Sequence, residues 1–443
     1  MTYRIGLDVG TTATKACAFN AAGEQIGMEE RGYELLHPAA GAAVQRPMDI
    51  LWAAEEALAA LVKSLGTPPL SVGLSCAMHS LILCDEYEAP LDVVYTWADT
   101  RPQAVMGEIG EAERYELHRL TGTPVHPMSP LVKLRWLLRE QPHLREEAIY
   151  CYDLKSFLTK YWTNTAMLDE QLASATGLYH AKEGVWSQRA LTVANGDHPE
   201  PFPFLLPPVR PITERLAWDN GVAQRLGLTG VPLYLGGSDG VLANLGSGLL
   251  KPGDVALSIG TSGALRTTHQ QPYIDPKHGL FNYKMKDDLY VVGGPTNNGG
   301  KVLAYWQDLL KGHFPDIASF IDGAFSVPAA EAPVFQPWLF GERAPIWDAA
   351  ATAALAHLVG HHTPAHLARA VLEGVTGNIV HILHQLEEVV GPANRILASG
   401  GFTQSPAWVQ LIAERSGREV VVVEAGQATA YGAVLAGVEG ERG

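Results

Sequence analysis

The chain has 443 residues, 47% of them hydrophobic and 18% charged, and a formal net charge of −15. That length predicts two domains rather than one core, and the composition is that of a folded chain rather than a disordered one. The acidic balance argues against nucleic acid or an anionic membrane as partner, because both reward clustered Lys and Arg; an anion must be held locally, by backbone N–H groups and a few placed cations.

Cys17, Cys76, Cys84 and Cys151 form no CxxC pair and no Cys/His ligand set, which fits reduced, packed thiols in a cytosolic protein. The opening MTYRIGLD enters a strand directly, without a basic-then-apolar leader, and no apolar run approaches the roughly 18 residues of a membrane span. The expectation is a soluble cytoplasmic protein.

The first elements read as a β-meander. YRIGLD and TKACAFN flank the turn Gly10-Thr11-Thr12, and AAGEQ turns the chain into IGMEERGYEL. A helix is predicted to open near Asp49, with Leu51, Ala54, Leu58, Leu61 and Val62 on one face. SVGLSCA and LILCDE read as strands. From about residue 106 to 230 the pattern is mostly helical and broken by prolines, with a Pro-rich connection from Pro199 to Ile212. GDVALSIGTSGALRTT, Gly253 to Thr268, then repeats the opening layout, with Gly260-Thr261-Ser262 in the place of Gly10-Thr11-Thr12. Beyond it come a strand (LYVVGG), a helix from about Gly300, and a long helix with Thr363 as N-cap and Pro364 at N1. A strand–Gly-Gly–helix unit (RILASGGFTQSPAWVQLIAERSG), a strand (EVVVVE) and a helix (ATAYGAVLAG) complete the series.

A Gly-Thr turn suits a tight hairpin as well as a phosphate cradle, since both need small residues. Its recurrence at half-chain spacing predicts two related domains, hinged near residues 240–250, whose hairpins face one cleft. Backbone N–H groups and hydroxyls from both tips would grip a polyphosphate. The other phosphate and metal motifs fail. Gly294 to Gly299 runs into Gly300-Lys301-Val302 without GxxxxGK[ST] spacing, and there is no strand–GxGxxG–helix unit and no HExxH. His361, His362 and His366 have ligand-like spacing, but the helix start between them makes a surface patch the better reading.

Three positions offer chemistry. Asp8, at the end of the first strand, is either a turn-stabilising residue or a carboxylate for Mg²⁺ beside bound phosphates. Asp239, in LYLGGSDGVLANLGSG, is either a helix N-cap or a base that accepts the proton of an attacking hydroxyl. Met78 and His79, with Trp97, Asp99 and Arg101, form a polar-aromatic set suited to a polyol, although a buried Asp–Arg pair beside a Trp also serves as a fold staple.

These residues carry a family resemblance. MSPLVKLRWLLRE, Met128 to Glu140, fits position by position the N-terminal signature of the FGGY carbohydrate kinases, sugar kinases of the actin-like ATPase superfamily. LFGERAPIWD, Leu339 to Asp348, resembles the family's GERxP segment, and HLARAVLEG, His366 to Gly374, the core of its second signature. The resemblance spans essentially the whole chain. It implies an α/β fold of two actin-like (ribonuclease H-like) ATPase domains with an interdomain cleft: an N-terminal sugar-binding domain over 1–246 and a C-terminal nucleotide-binding domain over 247–443.

The same resemblance implies ATP and Mg²⁺ as cofactors, with Asp8 as the metal-associated acid and Asp239 as the catalytic base. Thr11, Thr12 and Lys15 match the first phosphate loop, and Gly260 and Thr261 the second. Gly299, Gly300, Gly400, Gly401 and Ser405 match the nucleotide side. Met78, His79, Trp97, Asp99 and Arg101 match the sugar side. The stretches AMHSLI, TWADTR, TGTPVHPMSPL, DEQLASATGL and GGPTNNGG look most like the family's gluconate-phosphorylating members, which implies a small sugar acid or sugar as partner. The acid's carboxylate would then meet His79, Arg101, His126, Lys155, Asn297 or Asn298. Ser80 stands where xylulokinases usually carry Gly. A xylulokinase or another ketose or polyol kinase of the family is the nearer alternative. A non-kinase actin-like ATPase is the distant one, and it has no reason to carry the polar-aromatic set. The chain departs from the family at His361 and at Pro295-Thr296, and is shorter than most relatives. That shortness bears on assembly, for which a homodimer is compatible.

Overall fold

Alternating burial along Tyr3 to Gly32 produces the meander: β1 (Tyr3–Val9), β2 (Ala13–Asn20) and β3 (Gln25–Gly32) pair antiparallel in sequence order. This computed structural model describes residues 2–248, 253–423 and 426–442. Helix α1 (Pro47–Leu65) starts with Pro at its first turn and ends at Gly66 in the left-handed region; it buries Leu51, Ala54, Leu58, Leu61 and Val62. Strand β4 (Val72–Cys76) then runs parallel to β1. The intervening region carries α2 (Glu111–Thr121), α3 (Pro130–Glu140), α4 (Leu154–Thr163) and the short α5 (Glu170–Ser174). Short two-stranded pairings interleave with these helices, which the mostly helical pattern does not announce; Ile82–Cys84, for example, pairs with Tyr150–Tyr152 instead of joining the main sheet. Strands β5 (Arg215–Leu216) and β6 (Leu233–Ser238) complete a six-stranded sheet in the order β5–β6–β4–β1–β2–β3, and α6 (Asp239–Gly246) follows directly.

The second half repeats the plan. Strands β7 (Asp254–Ile259) and β8 (Gly263–His269) form a hairpin, and β9 (Phe281–Lys286) and β10 (Leu289–Thr296) extend it antiparallel. After α7 (Gly300–Leu309), α8 (Ile317–Phe325) and the long α9 (Pro364–Val390), β11 (Arg395–Ser399) lies parallel to β7. Helix α10 (Pro406–Ser416) and strand β12 (Glu419–Val422) give the sheet order β9–β10–β8–β7–β11–β12. In both sheets the first strand is central, antiparallel to the second and parallel to a later one. The half-chain echo therefore corresponds to two copies of one sheet plan, each with its own buried cluster.

Strand β9 and the last helix both join the halves. Strand β9 docks on the helices of the first half: Asn282 N donates to Gly122 O at 2.7 Å, His118 Nε2 to Leu280 O at 2.7 Å, Lys284 N to Ser174 Oγ at 3.0 Å and Gln171 Nε2 to Met285 O at 3.1 Å. The last helix, α11 (Ala428–Arg442), crosses back and packs on α6 and on β1, β4 and β6. The approach is backbone to backbone: a Cβ on Gly6 would stand 1.9 Å from Ala430 O, and one on Gly73 2.1 Å from Ala433 O. The hinge expected at 240–250 begins inside α6, and residues 249–252 lie outside the described residues. The last residue of EVVVVE, Glu424, lies outside them too. Among the described residues no helix is long and apolar enough to cross a membrane.

Candidate active site

A cavity of about 330 Å³ opens between the two sheets. The first half contributes Thr11, Met78, His79, Trp97 and Asp239 to its wall, and the second half Ser262, Arg266, Tyr283 and Arg343.

Asp239 enters it because β6 ends and α6 begins at that point. Ser238, not Asp239, is the N-cap, its Oγ accepting from Val241 N at 3.4 Å. The capping alternative for Asp239 therefore fails, and its carboxylate is left to the cavity, accepting from the adjacent Gly240 N at 2.7 Å. Burial raises its pKa, opposed by that N–H and by the Arg266 guanidinium. A carboxyl that holds its proton more strongly than usual is a better general base. The strand end beneath it is fixed: Gln171 Oε1 accepts from Ser238 N at 3.0 Å, and Lys155 Nζ donates to Gly237 O at 2.9 Å.

Asp8 lies within β1, opposite Lys15 in the register, and accepts from Ser75 Oγ at 3.1 Å; it stabilises no turn. Burial first, and the charge of Asp239 second, push its carboxyl up to about 7. Two carboxyls that repel each other in a desolvated cleft suit a divalent cation, which Mg²⁺ would satisfy with one or two carboxylates, water and phosphate oxygens.

The two Gly-Thr tips face this space, since Thr11 and Ser262 both line it. The first tip is propped from three sides. Tyr33 Oη donates to Gly10 O and Gln45 Nε2 to Thr11 O, both at 2.6 Å, and Trp97 Nε1 donates to Thr11 Oγ1 at 3.0 Å. At the second, Gly300 N donates to Gly260 O at 2.8 Å and Lys301 N to Thr261 O at 3.1 Å. Gly299 is required at this junction, because a Cβ there would lie 2.6 Å from the Ser262 carbonyl carbon. Behind this tip lies a second cavity of about 610 Å³, walled by Gly260, Thr261, Gly300, Gly401 and Ser405 together with Ile317, Ala318 and Ile321 of α8 and Trp408. Apolar walls opening onto N–H-rich loops suit a flat heterocycle that carries phosphates. Thr12, Lys15, Gly299 and Gly400 line neither cavity.

On the acceptor side, Met78, His79 and Trp97 reach the cavity. His79 sits at φ 64, and its Nδ1 lies 2.8 Å from Ala175 O. Nδ1 must therefore carry the proton, and burial holds the ring neutral by lowering its pKa to about 3, leaving Nε2 as an acceptor for a hydroxyl. Lys133 of the MSPLVKLRW segment is buried and donates to His79 O and Met128 O, which anchors that loop.

The other residues expected on this side do not line the cavity. Asp99 and Arg101 close on each other, Nε to Oδ1 at 3.0 Å, with the guanidinium 4.8 Å from the Trp136 ring centre, and neither lines the cavity. Asn298 is buried against the GERAP loop, donating to Gly341 O at 2.8 Å and accepting from Phe340 N at 3.3 Å. Asn297 donates to Phe340 O, and Lys155 pairs with Asp169. His126 is buried, and burial lowers its pKa to about 3. Arg266, Phe281, Tyr283 and α8 were not singled out from the sequence, and Arg343 stood only inside a quoted motif. One signal existed for Arg266: it lies two positions beyond Ala264 and four beyond Ser262, on the cleft-facing side of an alternating strand.

Residues 3–246 match the N-terminal domain of the FGGY family of carbohydrate kinases, and residues 255–439 match its C-terminal domain. A gluconokinase of Bacillus subtilis (strain 168) is 35% identical over 98% of this chain and 87% of its own length. Among solved structures, a ligand-bound xylulose kinase from Lactobacillus acidophilus superposes with a TM-score of 0.93 at 30% identity, covering 100% of this chain and 90% of that one. A gluconate kinase from the same organism gives the same TM-score and identity, over 100% of this chain and 89% of its own. The chain belongs to the FGGY family of carbohydrate kinases and has that family's two-domain actin-like fold. Kinases of this family take ATP as phosphate donor.

Proposed function

We propose that this carbohydrate kinase transfers the terminal phosphoryl group of ATP to the terminal hydroxyl of D-gluconate, giving 6-phosphogluconate. The observation that carries the reading is the match to a gluconokinase along nearly the whole chain. Asp239 accepts the hydroxyl proton as the oxygen attacks, and its raised pKa suits that task. His79 Nε2 accepts from a substrate hydroxyl, and Trp97 and Met78 form the apolar wall of the acceptor site. The tips at Gly10–Thr12 and Gly260–Ser262 hold the phosphates, with the purine in the second cavity. Mg²⁺ bound near Asp8 would neutralise phosphate charge. Approach of the two halves excludes water, so that the sugar rather than solvent takes the phosphoryl group. The enzyme works in the cytoplasm, where ATP is supplied.

A second reading, a ketose kinase, is favoured by the equally good superposition on the xylulose kinase. ADP release with Mg·ATP, measured against D-gluconate, D-xylulose, L-ribulose, glycerol and a sugar-free control, separates the two. Turnover dominated by gluconate supports the proposal. Dominant turnover of xylulose replaces it, and equal rates with and without sugar remove the kinase reading.

A further inference from the structure

Arg266 and Arg343 are the two cationic side chains among the described residues that line the first cavity, and both are partly buried there. Neither has a carboxylate in salt-bridge range. The Arg343 guanidinium donates to Thr296 O at 3.2 Å, and its Nε is buried without a partner among the described residues. The adjacent Glu342 makes no salt bridge with the guanidinium, although its charge favours the cation. That carboxylate is wholly buried and already accepts from Arg343 N at 2.8 Å, Thr296 Oγ1 at 2.7 Å, Asn297 N at 2.9 Å and Asn378 Nδ2 at 2.9 Å. It fixes the backbone from which Arg343 reaches over the Trp97 ring, at 5.8 Å from its centre.

We propose that Arg266 and Arg343 form an anion subsite for the carboxylate of an open-chain sugar acid, and so select acids over neutral sugars; the inference rests on the sugar-acid reading above. Charge and position support it. The cavity wall holds two guanidinium groups and one carboxylate, Asp239, with neither guanidinium in a salt bridge, so guanidinium donors are left to the cavity. A forked guanidinium matches a carboxylate well. Ser262, Ala264 and Arg266 share one face of β8, so Arg266 stands four residues, roughly 13 Å along the strand, from the tip that faces the phosphates. Arg343 comes from a separate loop, on the side of Trp97 and Tyr283. The phosphates have their own N–H donors at the two tips; the acceptor end has these arginines.

The experiment compares D-gluconate with D-gluconamide, a neutral molecule of the same length, in steady-state ADP release. Wild type is expected to prefer gluconate at least tenfold in kcat/KM. R266Q and R343Q are each expected to raise the KM for gluconate by about 10- to 100-fold, with a much smaller change for gluconamide. Lysine at either position should restore part of the loss for gluconate alone. Equal losses of kcat on both acceptors would overturn the inference and assign the arginines to the transferred phosphoryl group. Wild type that does not distinguish the two acceptors would overturn it without any variant. Wild type that phosphorylates only neutral ketoses would instead remove the sugar-acid reading beneath it, so the two failures are distinct.

Discussion

Lys155 Nζ lies 2.7 Å from Asp169 Oδ2, and neither side chain has any exposure to solvent. Asp169 Oδ1 caps α5 by accepting from Gln171 N at 2.9 Å and Leu172 N at 3.0 Å, and Gln171 in turn holds Ser238 N. The buried pair thus anchors the strand end that delivers Asp239. Lys155→Met strands the Asp169 charge and is expected to cost about 3–5 kcal/mol. Adding Asp169→Asn, which keeps a capping oxygen, should recover a large part. Urea midpoints of the two variants at constant m-value check both statements.

Asp239→Asn keeps the shape of the side chain and removes the proposed proton acceptor. The expected loss is about 10²- to 10⁴-fold in kcat, with gluconate affinity nearly unchanged. Turnover within a few-fold of wild type, with binding intact by titration calorimetry, would take the base assignment away from this residue.

His118 links α2 to Leu280 in the second half, and burial holds its pKa at about 4 instead of 6.5. The unfolded chain takes up a proton near pH 6.5, whereas the folded chain refuses it until near pH 4. Stability from this group is therefore fully present above pH 6.5 and is lost as pH falls towards 4. His79 and His126, both lowered to about 3 chiefly by burial, act in the same direction. Thermal melts from pH 7 to pH 4 should show falling Tm. His118→Gln should melt lower at pH 7 yet lose less on acidification.

Gly6→Ala places a methyl group where the Ala430 carbonyl already stands. A backbone atom has no rotamer to yield, so the cost should reach or exceed the upper end of the roughly 1–3 kcal/mol usual for overpacking. Hydrogen exchange should rise first in residues 428–442, ahead of α1. Unchanged protection there would show that the helix adapts.

Local pattern carried much of this structure. The meander, both Gly-Thr hairpins and the strand-to-helix step at Asp239 are each encoded in one continuous stretch of the chain by strand pattern and turn chemistry. What the sequence could not disclose depends on distant partners. Asn298 looks free until the loop at Phe340 and Gly341 is folded against it. Asp99 and Arg101, two residues apart, satisfy each other, which composition and spacing leave undecided. Arg266 and Arg343 gain their meaning only because two segments separated along the chain come to border one cavity. The crossing of α11 is likewise silent in the sequence, where ATAYGAVLAG reads as a helix with no stated destination.

That crossing also imposes an order of events during synthesis. Helix α6, which carries Asp239, is packed from one side by residues 428–442, so it lacks its native neighbour until nearly two hundred further residues have been added. A nascent chain on the ribosome can therefore complete its first sheet and hairpin while the acid that would deprotonate a substrate is still unsupported. The contacts that hold Asp239's helix from this side are therefore made late, once residues 428–442 have been delivered.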